Sequence, residues 1–140
     1  MKSEIIVDTG PLVAFISEHD VYHDWVLQQV SNLPFPFLTC DAVITETCFL
    51  LHKRSDKEQV ILEMVNKGLI SLPFCLNDEI AVIQKLMAKY VNVPMSLADA
   101  CLVRMTEQYP KSTVLTLDSD FLIYRRYGNQ PIKTIMPYYH

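Results

Sequence analysis

Apolar residues in this chain form short strand-like runs that alternate with helix-like segments. The β-branched run Ile5-Ile6-Val7 comes first, and further apolar runs predict strands over 35–40, 69–72, 113–117 and 132–136. Apolar residues spaced by three and four predict a helix that begins near Pro11, then helices over 21–30, 42–53, 56–66, 77–90 and 96–108, and a short one over 118–126.

Capping residues support these boundaries. Asp41, Asn77 and Ser96 are suited to N-cap positions, and Gly68 to the end of the helix over 56–66. The strands are apolar nearly throughout, which is typical of parallel strands buried on both faces. The pattern therefore predicts an α/β fold with a parallel sheet covered by helices on both sides.

Composition agrees with one well-buried core. The chain has 140 residues, 50% of them hydrophobic, and a mean hydropathy of +0.15, so we expect a single domain over 1–140. No apolar stretch approaches the ~20 residues that span a bilayer, and no secretory leader pattern is present. We therefore expect a soluble cytoplasmic protein without membrane contact. The four cysteines lack metal-site spacing and are expected to be reduced core thiols: Cys40, Cys48, Cys75 and Cys101.

The chain carries 16 acidic and 12 basic residues, which argues against a strongly basic nucleic-acid-binding surface. Two acids lie in apolar helical surroundings. Glu46 has Val43 and Phe49 three residues away on either side, and Asp99 has Leu102 and Val103 nearby. We expect both carboxylates to face inward or into a cleft, where each needs a hydrogen-bonding partner, an opposite charge or a cation.

Two more acids directly follow predicted strands. Asp8 comes after Ile5-Ile6-Val7, and Asp118 after the run over 113–117, with Asp120 two residues further. Parallel strands place such residues at the carboxyl edge of the sheet, where open α/β folds bind ligands. Carboxylates gathered there would repel one another unless a hard cation such as Mg²⁺ or Mn²⁺ is bound.

Structural roles remain open for each acid. Ser96 and Asp99 fit a capping box, Asp118 fits a helix N-cap, and Asp8 fits a turn before Gly10. Asp8-Thr9-Gly10 also matches the tripeptide of aspartic proteases, but those are β-proteins and this chain is mostly helical by pattern. His19 and His23 are expected at a helix start in exposed or capping positions, and Trp25 in the core.

The acids and their neighbours together resemble the PIN-domain ribonucleases over nearly the whole chain. Four motifs occur in the family's order: Val7-Asp8-Thr9-Gly10, Thr45-Glu46, Ser96-Leu97-Ala98-Asp99-Ala100 and Thr116-Leu117-Asp118-Ser119-Asp120-Phe121. In addition, His23-Asp24-Trp25 resembles a His-x-Trp stretch found in many small members. Gly10 departs from the family, since a polar residue is common at that position of the first motif.

This resemblance implies a three-layer α/β/α sandwich and a metal-dependent ribonuclease. Its catalytic and Mg²⁺- or Mn²⁺-binding residues would be Asp8, Glu46, Asp99 and Asp118, with Asp120 as a further ligand and Thr9, Thr116 and Ser96 in support. Residues that could contact RNA are Lys53, Arg54, Arg125 and Arg126.

Small members of the family are often toxins held inactive by an antitoxin that covers the acidic cleft, and they are usually dimeric. An apolar surface on two helices predicts a homodimer here, through Phe49, Leu50, Leu51, Ile61, Leu62 and Val65. An RNA-processing enzyme or a degenerate nucleic-acid-binding module remains open. A haloacid-type phosphatase would need an aspartate where Gly10 stands, and a receiver-like signalling domain would need an acidic pair and a late lysine that are not convincing here.

Overall fold

A parallel five-stranded sheet forms the centre of the molecule. The computed structural model describes residues 3–137. The strands are β1 (Ile5–Val7), β2 (Phe37–Leu38), β3 (Ile70–Ser71), β4 (Thr113–Leu115), β5 (Arg125–Arg126), β6 (Gln130–Pro131) and β7 (Thr134–Ile135). The central sheet has the order β3-β2-β1-β4-β7 with every pairing parallel, and β5 and β6 form a separate antiparallel pair.

Six α-helices connect the strands. They are α1 (Thr9–Ile16), α2 (His23–Val30), α3 (Asp41–Ser55), α4 (Glu58–Asn66), α5 (Ile80–Lys89) and α6 (Leu97–Gln108). Two short 3₁₀ helices, Leu76–Asp78 and Ser119–Leu122, precede α5 and follow β4. Within residues 3–137, no helix is both long and apolar enough to cross a membrane.

Alternate residues of the strands face opposite layers of helices. Val7, Phe37 and Leu115 line a small apolar cavity together with Leu12 and Phe15 of α1, Val26 and Val30 of α2, and Met64 of α4. Ile6 precedes Val7 in β1 and therefore points to the opposite face of the sheet, as the two-residue period of a strand requires. Helix α6 contacts β1. The predicted α/β fold with a central parallel sheet is thereby confirmed.

Strand β1 lies in the middle of the sheet because the chain changes direction beside it. From β1 the chain proceeds outward through β2 to β3, then returns to add β4 on the other side. The point between β1 and β4 is therefore a topological switch point, where a crevice opens at the carboxyl ends of the strands. Asp8 and Asp118 follow these two strands.

The largest error of the sequence-based assignment concerns the segment over 118–126, predicted as one short helix. Only Ser119–Leu122 is helical, as a 3₁₀ turn, and Arg125–Arg126 then forms strand β5. The pair β5–β6 turns at Tyr127 and Gly128, which both adopt positive φ values, 52° and 87°. Glycine accommodates that conformation without steric cost, so Gly128 permits a hairpin that the apolar pattern did not indicate.

Smaller corrections concern boundaries and burial. The strands are shorter than predicted, α2 begins at His23, and the N-cap of α3 is Cys40 where Asp41 was predicted. Cys40 and Cys101 are buried, but Cys75 is exposed, so its assignment to the core was wrong. Trp25 is half-buried and packs against the core. His19 is exposed, whereas the Nδ1–H of His23 donates to the Ala14 carbonyl at 2.6 Å, which ties α2 to α1.

Candidate metal centre

Asp8 is held at the end of β1 by two hydrogen bonds. It is the N-cap of α1, and its Oδ1 accepts the Thr9 N–H at 2.8 Å. Its Oδ2 accepts the hydroxyl of Thr116 at 2.8 Å. The side chain is only 6% exposed, so its position at the bottom of the crevice is fixed by the fold.

Thr116 joins Asp8 to Asp118. The Thr116 hydroxyl donates to Asp8 and accepts the backbone N–H of Asp118 at 2.9 Å. Asp118 in turn caps the 3₁₀ turn, and its Oδ1 accepts the Asp120 N–H at 2.9 Å. The buried threonine therefore sets the spacing between the acid that follows β1 and the acid that follows β4.

Asp99 reaches the same place from the first turn of α6. Its N–H donates to the Ser96 hydroxyl at 3.0 Å, and its Oδ2 accepts the Ser96 N–H at 3.4 Å, which completes the expected capping box. The Tyr124 hydroxyl also donates to Asp99 Oδ2, at 2.9 Å. All of these side-chain bonds use Oδ2, so capping does not compete with a second role for this carboxylate.

The three aspartates converge on one point. Carboxylate oxygens of Asp8, Asp99 and Asp118 lie within 4.8 Å of one another. The opening that surrounds them is called the acidic cleft here. Five of its lining residues are acidic, and none of the described residues that line it is basic. The lining residues are Asp8, Thr9, Gly10, Glu46, Pro94, Ser96, Asp99, Leu117, Asp118 and Asp120.

Glu46 lines the acidic cleft, which is one of the two expected placements, but its side chain is exposed and does not face inward. Helix α3 buries Val43, Ile44, Thr47 and Leu51, and this stripe leaves position 46 at its solvent-facing edge. Thr9 donates its hydroxyl to Glu46 Oε2 at 3.0 Å, so the first turn of α1 orients this acid at the rim. Glu46 is not part of the group of carboxylates within 4.8 Å.

Burial of negative charge without a cation is unfavourable at this site. Desolvation raises the pKa of Asp8 from 3.8 to about 7, against the lowering effect of the hydrogen bonds from Thr116 and Thr9, and Asp99 and Asp118 raise it further. Burial likewise raises the pKa of Asp99, and burial together with Asp118 raises the pKa of Asp120. Convergent carboxylate oxygens in such a setting fit a hard divalent cation.

The four basic residues predicted to contact RNA lie outside the lining of the acidic cleft. Lys53 and Arg54 are exposed near the end of α3, and Arg54 pairs with Asp20 at 3.5 Å. The guanidinium of Arg125 donates to the carbonyls of Leu122, Ile123 and Tyr124. That of Arg126 donates to the carbonyls of Thr106 and Pro110, so Arg126 fastens the hairpin segment to the end of α6, whereas Arg125 braces the segment that precedes it.

Two features of the site were not predicted from the sequence. Tyr124 belongs to an apolar run, Phe121 to Tyr124, and its phenol is fully buried; the signal available was that a buried tyrosine hydroxyl needs a partner. Gly10 packs closely against Leu117, since a Cβ at position 10 would lie 3.3 Å from Leu117 Cβ and Cδ1. A side chain at position 10 would therefore require Leu117 to move.

Residues 5–127 match the family model of the PIN domain. Since this match spans most of the chain, the protein belongs to the PIN domain family, as the four motifs indicated.

Among known proteins, the chain is similar to ribonuclease VapC26 of Mycobacterium tuberculosis (strain ATCC 25618 / H37Rv). The two are 27% identical over 116 residues, which are 81% of this chain and 86% of VapC26. The fold is similar to that in a crystal structure of Mycobacterium tuberculosis VapC20, a toxin that cleaves the sarcin–ricin loop. The TM-score is 0.74 with 18% sequence identity, over 84% of this chain and 92% of VapC20. The protein is thus a member of the PIN family that is similar in sequence to VapC26 and in fold to VapC20.

Proposed function

We propose that this protein is a metal-dependent endoribonuclease that hydrolyses RNA phosphodiester bonds at the acidic cleft. The observation that carries the proposal is the convergence of Asp8, Asp99 and Asp118 within 4.8 Å at the switch point of the sheet. Membership of the PIN family and similarity to ribonuclease VapC26 also support ribonuclease activity.

In this proposal Asp8, Asp99 and Asp118 hold Mg²⁺ or Mn²⁺, with Glu46 and Asp120 as further ligands at the rim. A bound divalent cation supplies Lewis-acid chemistry for phosphodiester hydrolysis. Thr116 and Thr9 hold Asp8 in place through hydrogen bonds that favour its ionised form, and Thr9 also orients Glu46. Ser96 fixes the start of α6 and thereby the position of Asp99.

The partner proposed for this enzyme is a cognate antitoxin that covers the acidic cleft. The support is similarity to VapC26 and the likeness of fold to VapC20, which is described as a toxin. We propose that the chain acts as one PIN domain over 1–140, as a toxin in the cytoplasm. The RNA of the sarcin–ricin loop, cleaved by VapC20, is a candidate substrate to be tested beside other structured and single-stranded RNAs.

The test is cleavage of 5′-labelled RNAs by the purified protein with Mg²⁺, with Mn²⁺, and with EDTA. We expect cleavage with either ion and none with EDTA. Asp8→Asn and Asp99→Asn should each abolish cleavage with the fold intact, because each removes a negative charge from the cation site and keeps the side-chain volume. Asp78→Asn is the matched control, since Asp78 is exposed and lies outside the acidic cleft.

Wild-type cleavage by Asp8→Asn or Asp99→Asn would refute their role as ligands. RNA binding without cleavage under every metal condition would instead favour the degenerate binding module. Co-expression with the product of the neighbouring reading frame, followed by co-purification and loss of cleavage, tests the proposed antitoxin.

A further inference from the structure

The phenol of Tyr124 is fixed beneath the acidic cleft. Its side chain is fully buried, and its ring meets the edges of two other aromatic rings. The centroid of Phe121 lies 5.2 Å away with an interplanar angle of 84°, and that of Tyr90 lies 5.1 Å away at 71°. The Tyr90 hydroxyl accepts the N–H of Arg125, so this second ring is itself anchored to the backbone. Packing on both sides therefore leaves the Tyr124 hydroxyl little freedom of position.

The hydroxyl makes the shorter of the two bonds that orient the Asp99 carboxylate. Tyr124 donates to Asp99 Oδ2 at 2.9 Å, whereas the Ser96 N–H is 3.4 Å from the same oxygen, beyond the usual range for an N–H···O bond. Asp99 Oδ1 has no hydrogen-bond partner among the residues that the structure describes. Since Oδ2 is engaged by Tyr124 and Ser96, Oδ1 is the oxygen left available to a cation, and a carboxylate oxygen of Asp99 lies within 4.8 Å of those of Asp8 and Asp118.

Tyr124 also connects two elements that carry different acids. Asp118 begins the short segment that leads to Tyr124, and Asp99 belongs to helix α6. The backbone N–H of Tyr124 donates to the Asp120 carbonyl at 3.0 Å, so the segment is compact. Contact between Tyr124 and Asp99 therefore couples the loop after β4 to the first turn of α6.

We propose that Tyr124 is a positioning residue of the metal centre, whose hydroxyl holds Asp99 with one carboxylate oxygen directed at the cation. Hydrogen bonds that orient a ligand from outside the coordination shell typically change metal affinity by about 10- to 100-fold when they are removed. This inference rests on the proposed function only in taking Asp99 as a ligand.

The test is Mn²⁺ affinity, measured by titration calorimetry in the absence of RNA. Tyr124→Phe removes the hydroxyl and keeps the ring, and we expect it to weaken Mn²⁺ binding about 10- to 100-fold. Tyr127→Phe is the matched control, because its hydroxyl donates to the backbone carbonyl of Glu107 at 2.7 Å and both residues lie outside the lining of the acidic cleft. This control should bind Mn²⁺ as the wild type does.

A double-mutant cycle separates positioning from a general loss of stability. In an Asp99→Ala background there is no carboxylate to orient, so Tyr124→Phe should change the remaining affinity less than about twofold. An equal loss in both backgrounds, no loss in the wild-type background, or the same loss in Tyr127→Phe would overturn the inference.

A second measurement does not depend on the cation. In metal-free crystals of Tyr124→Phe, we expect the Asp99 carboxylate to leave the orientation that it has in the wild type. An unchanged Asp99 would overturn the positioning role even if the protein binds no Mn²⁺. Absence of Mn²⁺ binding by the wild type, with a displaced Asp99 in the variant, would refute the metal site and leave the positioning role of Tyr124 in place.

Discussion

Thr116 and Asp8 are 108 residues apart in the sequence, and the Thr116 hydroxyl donates a 2.8 Å hydrogen bond to Asp8 Oδ2. This bond joins the loop after β4 to the end of β1. The same hydroxyl also accepts a hydrogen bond from the N–H of Asp118. One buried threonine thus connects the two strand ends on either side of the switch point.

Replacing Thr116 with valine should weaken both the site and the fold. Thr116→Val keeps the shape, but it leaves the Asp118 N–H without its acceptor and raises the pKa of Asp8 further, because a bond to the ionised form is lost. We expect the free energy of unfolding to fall by about 1–3 kcal/mol and Mn²⁺ affinity to fall about 10-fold or more. Thr106→Val, which removes a buried hydroxyl bonded to the Val103 carbonyl, should lower stability without changing Mn²⁺ affinity. Equal Mn²⁺ affinities for both variants would contradict this prediction.

Stability of the metal-free protein should depend on pH through Asp8. Its folded-state pKa of about 7 lies above the ordinary 3.8, so between these values the unfolded chain has lost a proton that the folded protein retains. The contribution of Asp8 to the free energy of unfolding therefore falls as pH rises from about 4 to about 7, by on the order of 4 kcal/mol at most, and is constant above.

Asp8→Asn removes this contribution. In EDTA, the free energy of unfolding of Asp8→Asn should increase relative to that of the wild type between pH 5 and pH 8. Urea denaturation at the two pH values measures this change. Asp78→Asn should show no such shift. Parallel curves for Asp8→Asn and the wild type would mean that Asp8 is already ionised at pH 5.

Affinity for Mn²⁺ should rise with pH and then level off near pH 7. Cation binding requires the ionised carboxylate. Below the pKa of Asp8, each decrease of one pH unit should therefore lower the Mn²⁺ affinity by up to about tenfold. Calorimetry in two buffers of different ionisation enthalpy would report the proton released on binding at pH 6. No proton release at that pH would place the pKa of Asp8 well below 7.

Lys53 and Arg54 are the remaining basic candidates for RNA binding. Replacing both with glutamine should weaken binding to single-stranded RNA and reduce the slope of log affinity against log salt by about 1.4, the expectation for two lost phosphate contacts. The experiment uses anisotropy with Ca²⁺ in place of Mg²⁺. A matched pair, Lys85→Gln with Lys111→Gln, removes the same charge from other exposed positions. Equal slopes for the two pairs would indicate an effect of net charge alone.

The predicted homodimer would use a smaller surface than the sequence suggested. Leu51 and Ile61 are fully buried and are excluded from it, whereas Phe49 is 66% and Leu62 is 44% exposed. Light scattering after size-exclusion chromatography should give about twice the 16.1 kDa chain mass, and Phe49→Ser with Leu62→Ser should give the monomer. Val91→Ser, at another exposed apolar position, should leave the dimer intact. A wild-type mass of one chain would exclude this prediction.

Sequence reasoning succeeded where one local rule decides the position of a residue. Asp8 and Asp118 follow strands, and the carboxyl ends of neighbouring parallel strands meet, so their proximity was predictable. The burial of Glu46 was predicted incorrectly, although it does line the cleft, because apolar neighbours three residues away do not define which edge of a helix is buried. Tyr124 was missed because its hydroxyl reaches Asp99 through tertiary packing. An apolar run predicts burial, but it does not predict which residue a buried hydroxyl will contact.

The close packing of Gly10 and Leu117 makes these two positions interdependent in evolution and in redesign. A serine at position 10 would restore the polar side chain that is common in the family's first motif, but its Cβ would lie 3.3 Å from the Leu117 side chain. Because the Cβ of Leu117 is itself one of the close atoms, a smaller side chain at 117 would keep that contact, and the backbone around Leu117 would have to shift by a few tenths of an ångström to admit the serine. Grafting the common motif into this protein therefore depends on whether the loop that carries Leu117 can move, since trimming Leu117 to alanine removes the contact at Cδ1 and leaves the one at Cβ.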